Sequence, residues 1–266
     1  MNNIKEAQLL RENREALVDQ LNDLGIAADE NTPMSELIVL MKWSGGLRDL
    51  RLACLNKSTG AYSDYSADEY DALSASAKAQ LIKLGIRIRA ERLDFIISKD
   101  NVLRSNGNTT MPWASSAVDV RNLTNYGEGS TGHLLDIDGE ANTDTILEYG
   151  ESAGITFEAA QRAREYKAST LADGGYDDPT KWSLPAIGQL WLLYKYKKEI
   201  NAALTQFFGT SQLIASDWYW SSTEYSASYA WIVNLYIGYV NYHNKGNTYR
   251  VRAVAPVPVG SVSAAI

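Results

Sequence analysis

The chain has one cysteine, two histidines and four phenylalanines among 266 residues, and each scarcity removes a class of chemistry. A single thiol, Cys54, forbids internal disulfides and any zinc site built on several thiolates. Two histidines, His133 and His243, cannot build a multi-histidine metal centre. Cations are short as well: 25 Lys and Arg against 32 Asp and Glu leave a net charge of −7 and no surplus to neutralise a phosphate backbone. Nucleic acid is therefore not an expected partner. The longest apolar run, Leu37 to Met41, is far short of a bilayer span, and the N-terminus is charged throughout with no signal-peptide core. Neither membrane insertion nor export by an N-terminal signal is expected. What is present is 45% hydrophobic residues and only 21% charged, a composition that folds. Its aromatic mass is unusual, with 16 Tyr and 7 Trp, most of it carrying a polar handle.

The length suits two modest domains, or one with an appendage. Residues 4–24 read as a helix with Ala7, Leu10, Leu17, Leu21 and Leu24 on a heptad seam, closed by Gly25. Such a helix either packs on its own domain or forms a short oligomerising stalk. A second helix from Thr32-Pro33 to Trp43 ends at Ser44-Gly45-Gly46, a hinge-like break. From Leu47 to Ile97 the pattern is α+β. Ser66-Ala-Asp-Glu69 forms a capping box, Ala72 to Leu84 has helical spacing closed by Gly85, and Ile86–Ala90 with Leu93–Ile97 make a hairpin. Beyond Lys99 the spacing predicts a helix around Ile155 to Ala168 and another from Ser183 towards Phe208. Four strands follow: Tyr219–Thr223, Tyr229–Tyr236, Tyr239–His243 and Thr248–Val254. The expected divisions are 1–46, a helical oligomerisation or attachment segment; 47–98, a small α+β spacer; and 99–266, a ligand-binding domain. The class is α+β with mainly antiparallel sheets.

Motifs of catalysis are missing. No nucleophile elbow, phosphate-binding glycine loop or HExxH occurs. Asp136-Ile-Asp138-Gly139-Glu140-Ala-Asn142-Thr-Asp144 has the oxygen-rich look of a calcium loop. Its glycine, however, is fourth rather than sixth, and Leu147 stands where a bidentate Glu belongs, so a hydrogen-bonded structural turn is the other reading. His243 has no carboxylate near it in sequence and reads as a contact residue. No enzyme activity, metal or cofactor is expected.

Seven of the sixteen tyrosines fall in the 31 residues from Tyr219 to Tyr249, beside four Ser, four Asn, two Thr and two Gly, with Glu224 and Lys245 as the only charges. Such a mixture makes adaptable contact surfaces in paratopes, and Tyr-rich strands occur in ordinary sheets too. The motifs that decide are Trp182-Ser-Leu-Pro-Ala-Ile-Gly-Gln-Leu-Trp191, Glu199-Ile-Asn-Ala-Ala-Leu204, Trp220-Ser-Ser-Thr-Glu224, Ala230-Trp231 and Tyr249-Arg-Val-Arg252, in that order. Residues 99–266 with these motifs resemble the C-type-lectin-fold variable proteins of diversity-generating retroelements, and the related formylglycine-generating-enzyme type of fold. The resemblance implies two helices, mixed sheets and a ligand-binding face on the C-terminal strands. It does not extend to the formylglycine-generating activity, which uses cysteine, since none occurs beyond Cys54. Nor does it imply calcium-bound sugar, because the EPN, QPD and WND motifs are missing.

The resemblance also implies substitution at template adenines. An Asn codon AAC changed at one adenine gives Asp, His, Tyr, Ser, Thr or Ile. Tyr236, Ile237, Tyr239, Asn241, Tyr242, His243 and Asn244 are all Asn or one such step away, as are Tyr225, Ser226, Ser228 and Tyr229. These eleven are the expected ligand contacts, with Trp220, Ser221, Ser222, Trp231, Arg250 and Arg252 as scaffold. Tyr236, Tyr239, Tyr242 and His243 are expected to form one exposed patch, which requires an irregular backbone near 240–244. Segments near Val18 and Thr32 resemble phage tail and tail-fibre proteins. The expectation is a phage-tail receptor-binding protein, a homotrimer attached through its N-terminal region, that recognises a protein or glycan receptor on a host surface. A bacterial adhesin or fimbrial-type protein is the alternative.

Overall fold

The computed structural model describes residues 14–15, 18–19, 46–91, 93–127, 132–170, 177–209, 214 and 217–258. Apart from 14–15 and 18–19, which are helical, the helices expected over 4–24 and 32–43 lie outside the described residues, and the oligomerisation seam with them.

The class is α+β, and among the described residues the named strands pair antiparallel. The first sheet is built from β1 (Leu47–Asn56), β2 (Tyr62–Tyr65), β3 (Leu81–Ala90) and β4 (Leu93–Ser98), with the last strand of the chain, β10 (Val254–Pro256), added beside β4. Strands from the 47–98 segment and from the C-terminal segment thus share one sheet. Short helices α1 (Ala67–Ala72) and α2 (Ala75–Ala79) precede β3, and Ser66 and Glu69 make the reciprocal capping box the sequence announces. The helix expected from Ala72 to Leu84 instead ends by Ala79, and Leu81 begins a strand. The reason is burial on both faces: Leu52, Ile86, Ile88 and Ile97 enter one core, while Leu55, Ile82, Leu84 and Ile96 enter the other. A strand covered twice reads as a continuous apolar run, which periodicity cannot tell from a buried helix. Gly85 belongs to this sheet rather than to a helix end, since a Cβ there would lie 1.7 Å from the Ile97 carbonyl oxygen.

The segment 139–208 holds α3 (Gly139–Ala153), α4 (Glu158–Arg164), α5 (Ile187–Lys195) and α6 (Lys197–Phe208). The first of these was not expected. Its acidic opening is a capped helix, with Asp138 accepting from the Ala141 N–H at 3.0 Å and Gly154 closing it at φ +67°. The expected single helix from Ser183 is two, broken at Tyr196. Two small sheets complete the fold: β5 (Met111–Pro112) with β9 (Thr248–Tyr249), and β6 (Trp218–Ser226), β7 (Tyr229–Asn234) and β8 (Val240–Asn244) in that order. Among the described residues no helix is long and apolar enough to cross a membrane.

Candidate functional site, a tyrosine-rich sheet

The β6–β7–β8 sheet is anchored by its tryptophans. Trp220 is fully buried and donates its indole N–H to the Met111 carbonyl at 2.9 Å, and Trp113 donates to the Ser221 carbonyl at 2.8 Å. The Ser221 hydroxyl donates to the Trp231 carbonyl at 2.8 Å, and Thr223 Oγ1 accepts the Ile187 N–H at 2.9 Å, fixing β6 to the start of α5. Arg252 is fully buried and donates to the Lys99 carbonyl at 2.8 Å, while Arg250 is half-buried and bonds Asp217 at 2.7 Å. Of the residues read as scaffold, only Arg250 keeps appreciable exposure.

None of the eleven residues expected as contacts is buried. Tyr229, Tyr236, Ile237, Tyr239, Tyr242 and Asn244 are exposed; Tyr225, Ser226, Ser228, Asn241 and His243 are half-buried. Several residues between and beside them are buried: Glu224, Ala230 to Val233, Leu235 and Lys245. The arrangement of the tyrosines differs from expectation, however. Residues 240–244 are a regular strand, paired in unbroken register with β7, so alternation operates and the side chains divide between two faces. On one face Tyr242 stacks on Tyr225 at 3.7 Å between centroids, with Tyr229 and Trp231 edge-on at 5.7 Å. On the other, Trp218 meets Tyr239 at 6.0 Å and His243 at 6.1 Å, and the Tyr249 hydroxyl and His243 Nδ1 share a hydrogen bond. There is no single contiguous patch of Tyr236, Tyr239, Tyr242 and His243. The ladder, cooperative along its length, overrides the weak strand preference of Asn.

The β7–β8 connection projects furthest. Tyr236, Ile237 and Tyr239 are 67%, 59% and 55% exposed, yet their backbone is held. Asn234 Oδ1 accepts the Tyr236 and Ile237 N–H groups at 2.9 and 3.3 Å, and the Gly238 N–H reaches the Asn234 carbonyl at 2.8 Å. Gly238 has φ +74° and lies on the Tyr194 ring, where a Cβ would stand 2.2 Å from the nearest ring atom. Lys197 donates to the Leu235 carbonyl. The turn is therefore seated on the α5–α6 junction, a support supplied by residues that sequence reasoning did not connect to the site. His133 was also missed: it stacks on Trp231 at 4.2 Å from outside the three strands.

Beneath the sheet lies a buried ion pair between Glu224 and Lys245, 0% and 1% exposed at the side chain. Lys245 also donates to the Val118 carbonyl at 2.7 Å and lies 4.6 Å over the Trp113 ring, and Glu224 accepts the Val120 N–H. Burial pushes Glu224 up to about 7 and Lys245 below its ordinary range, so desolvation outweighs their mutual attraction in both. The signal for this pair was on view: two lone, opposite charges in a 31-residue aromatic window. The acidic stretch is used structurally. Asp136 accepts from Asn142 at 2.8 Å, Asp138 caps α3, and Asp144 bonds Arg164 at 2.6 Å and Lys181 at 2.7 Å. Among the described residues no three His, Cys, Asp or Glu side chains are placed to hold a metal ion.

Residues 105–255 match the family described as the Lcl C-terminal domain. The chain is also similar to the crystal structure of a fimbrial protein from Bacteroides ovatus ATCC 8483 at 19% identity and a TM-score of 0.46. That likeness covers 62% of this chain and 36% of the other, so this chain spans about a third of its length. A search of curated proteins gives no match.

Proposed function

The chain belongs to the Lcl C-terminal domain family, a family of variable, C-type-lectin-like proteins, and on that premise we propose that it is a non-catalytic receptor-binding protein. Its β6–β7–β8 sheet presents a diversified, Tyr-rich surface to a protein or glycan receptor on a host cell, and its N-terminal region joins a phage tail, with threefold symmetry. One observation supports the reading: all eleven positions read as diversified are exposed or half-buried, while Tyr219, Ser221, Ser222, Thr223 and Ile232, residue types equally one adenine step from Asn, are buried and belong to the scaffold. Burial of a polar ring demands a fixed hydrogen-bond partner that a changing sequence cannot keep supplying. A residue at the surface is free of that demand. The buried Trp220, Trp231, Glu224 and Lys245 hold the backbone while the side chains above them differ.

The test is adsorption of the full chain to candidate host cells, comparing it with a variant carrying Tyr236→Ala, Tyr239→Ala and Tyr242→Ala. Loss of adsorption without loss of the folded state supports the reading; undiminished adsorption sinks it. Sequencing the neighbouring DNA is a second, independent check. A near-copy of the codons from Trp220 to Arg252, differing at adenines in the eleven positions and lying beside a reverse transcriptase, is expected.

A further inference from the structure

The two edges of the display sheet are not alike. The outer edge of β6 is taken: the Trp220 N–H donates to the Arg250 carbonyl at 2.9 Å, the Ser222 N–H to the Pro185 carbonyl at 2.8 Å, and the Glu224 carbonyl accepts the Tyr126 N–H at 3.0 Å. On the other side, the Asn234 N–H to Tyr239 carbonyl bond (2.8 Å) and the Lys245 N–H to Ser228 carbonyl bond (3.0 Å) fix the phase of the β7–β8 ladder. Hydrogen-bonded pairs alternate with non-bonded ones, so Asn241 and His243 face β7, while Val240, Tyr242 and Asn244 turn their N–H and C=O groups outward. Among the described residues, two of these outward groups have partners, both local. The Tyr242 N–H donates to Asn241 Oδ1, and the Asn244 carbonyl accepts the Asn247 N–H, each at 2.9 Å.

This edge also lacks the usual protections. The β7–β8 register has no bulge, β8 contains no proline, and the neighbouring Lys245 is buried rather than presented at the edge. The edges of the larger sheet are blunter, with β2 only 4 residues long and β10 ending in Pro256.

We propose, on the reading of this sheet as the display face, that the ligand is an extended polypeptide segment that adds to β8 as a fourth strand. Strand addition takes its affinity from main-chain hydrogen bonds and its specificity from side chains on alternate faces. The main chain of β8 is unchanged when Tyr, Asn or His is exchanged at its positions. A surface whose side chains vary thereby keeps a constant means of holding its ligand. The segment is uncharged and rich in aromatic or aliphatic residues, because none of the eleven contact positions carries a formal charge at neutral pH. One row of its side chains meets Tyr229 and Tyr242, the other Tyr239 and His243.

The probe is a linear peptide selected on the full chain from a random displayed library. Val240→Pro removes an outward N–H and leaves the ladder to β7 intact, a position where a strand tolerates proline. The expected result is binding weakened about tenfold or more with an unchanged urea midpoint. Backbone N-methylation of alternate peptide residues should weaken binding similarly, and methylation of the intervening residues should leave it nearly unaltered. The methylation series uses the unmodified protein, so it decides even where the proline variant does not fold. Equal binding by V240P, methylation effects without alternation, or no linear peptide selected at all would each overturn the proposal. So would a concentration-dependent dimer in light scattering that V240P dissolves, since a second copy would then occupy the edge. Should strand addition fail while the triple tyrosine variant still loses adsorption to cells, the display reading stands without it.

Discussion

Lys245→Met gives the sharpest view of how the display sheet is supported. The substitution keeps volume and removes one member of a pair whose partner, Glu224, is fully buried. Breaking such a pair on one side typically costs about 3–5 kcal/mol, because the remaining charge has no counter-ion. The pH dependence follows from the direction of the Glu224 shift. Burial raises its folded pKa from the ordinary 4.5 to about 7 even with Lys245 beside it, and Lys245 is what draws it down. Without the ammonium the folded pKa rises further. A carboxyl with a raised folded pKa contributes stability that is fully present below its unfolded pKa and lost as pH climbs through the folded value. K245M should therefore run parallel to wild type up to about pH 7, where Glu224 is raised in both, and fall progressively behind it above that as pH climbs towards the variant's higher folded value. Urea unfolding followed by tryptophan fluorescence at pH 4, 6 and 8 reads this directly. A deficit equal at all three pH values would refute the electrostatic account and assign the loss to packing of the lysine stem against Trp113. The double variant E224Q/K245M should recover most of the pH 8 deficit, as neutral replacements of buried pairs commonly do.

Three other outcomes follow from the same geometry. Trp220→Ala removes a fully buried indole and should cost about 3–5 kcal/mol, whereas Tyr236→Ala should cost less than about 0.5 kcal/mol and Tyr242→Ala about 1 kcal/mol for its stack on Tyr225; a silent W220A would show that the scaffold is misassigned. Gly238→Ala forces a Cβ at φ +74° against the Tyr194 ring and should destabilise by at least about 1 kcal/mol in thermal unfolding, and an unchanged midpoint would mean that the turn does not rest on α5. Glu91 is buried at φ +55° and accepts bonds from Lys195 and Tyr196; both Glu91→Ala and Glu91→Gly lose those bonds, but the glycine variant should be the more stable by about 1 kcal/mol, and the reverse order would deny the backbone strain.

Three of the four terminal strands were readable because they alternate, carry tyrosine and are set off by Gly238 and by Asn244-Lys-Gly-Asn247; the fourth, expected over Thr248–Val254, is instead the separate strands β9 and β10, which join different sheets. The capping box at Ser66 was readable because its chemistry is local. What escaped was set by tertiary context. The start of β3 looked helical because both faces of its sheet are covered, so the polar alternation that marks a half-exposed strand is lost. Helix α3 hid behind its own first turn, where Asp136, Asp138 and Asp144 suggested a cation loop. Each of those carboxylates instead meets a partner brought from elsewhere or caps the helix, and no local spacing reports Arg164 or Lys181.

The eleven positions proposed as contacts were chosen by a rule about codons, which concerns where change is allowed and says nothing about direction. Direction came from the ladder. Once 240–244 is a strand, Tyr242 and His243 must part, and the tyrosines that sequence grouped together fall on opposite faces. The division has a physical advantage for a surface under diversification. Each face of a three-stranded sheet presents only part of the variable set, so a change at His243 leaves the Tyr225–Tyr242 stack untouched. What both faces have in common is the backbone of β8, fixed from below by Lys245 at its end and from the side by Gly238 on Tyr194. On the proposed reading, stability is placed in residues that do not vary and recognition in residues that do, and the edge of β8 is where the constant part of the molecule itself reaches the surface.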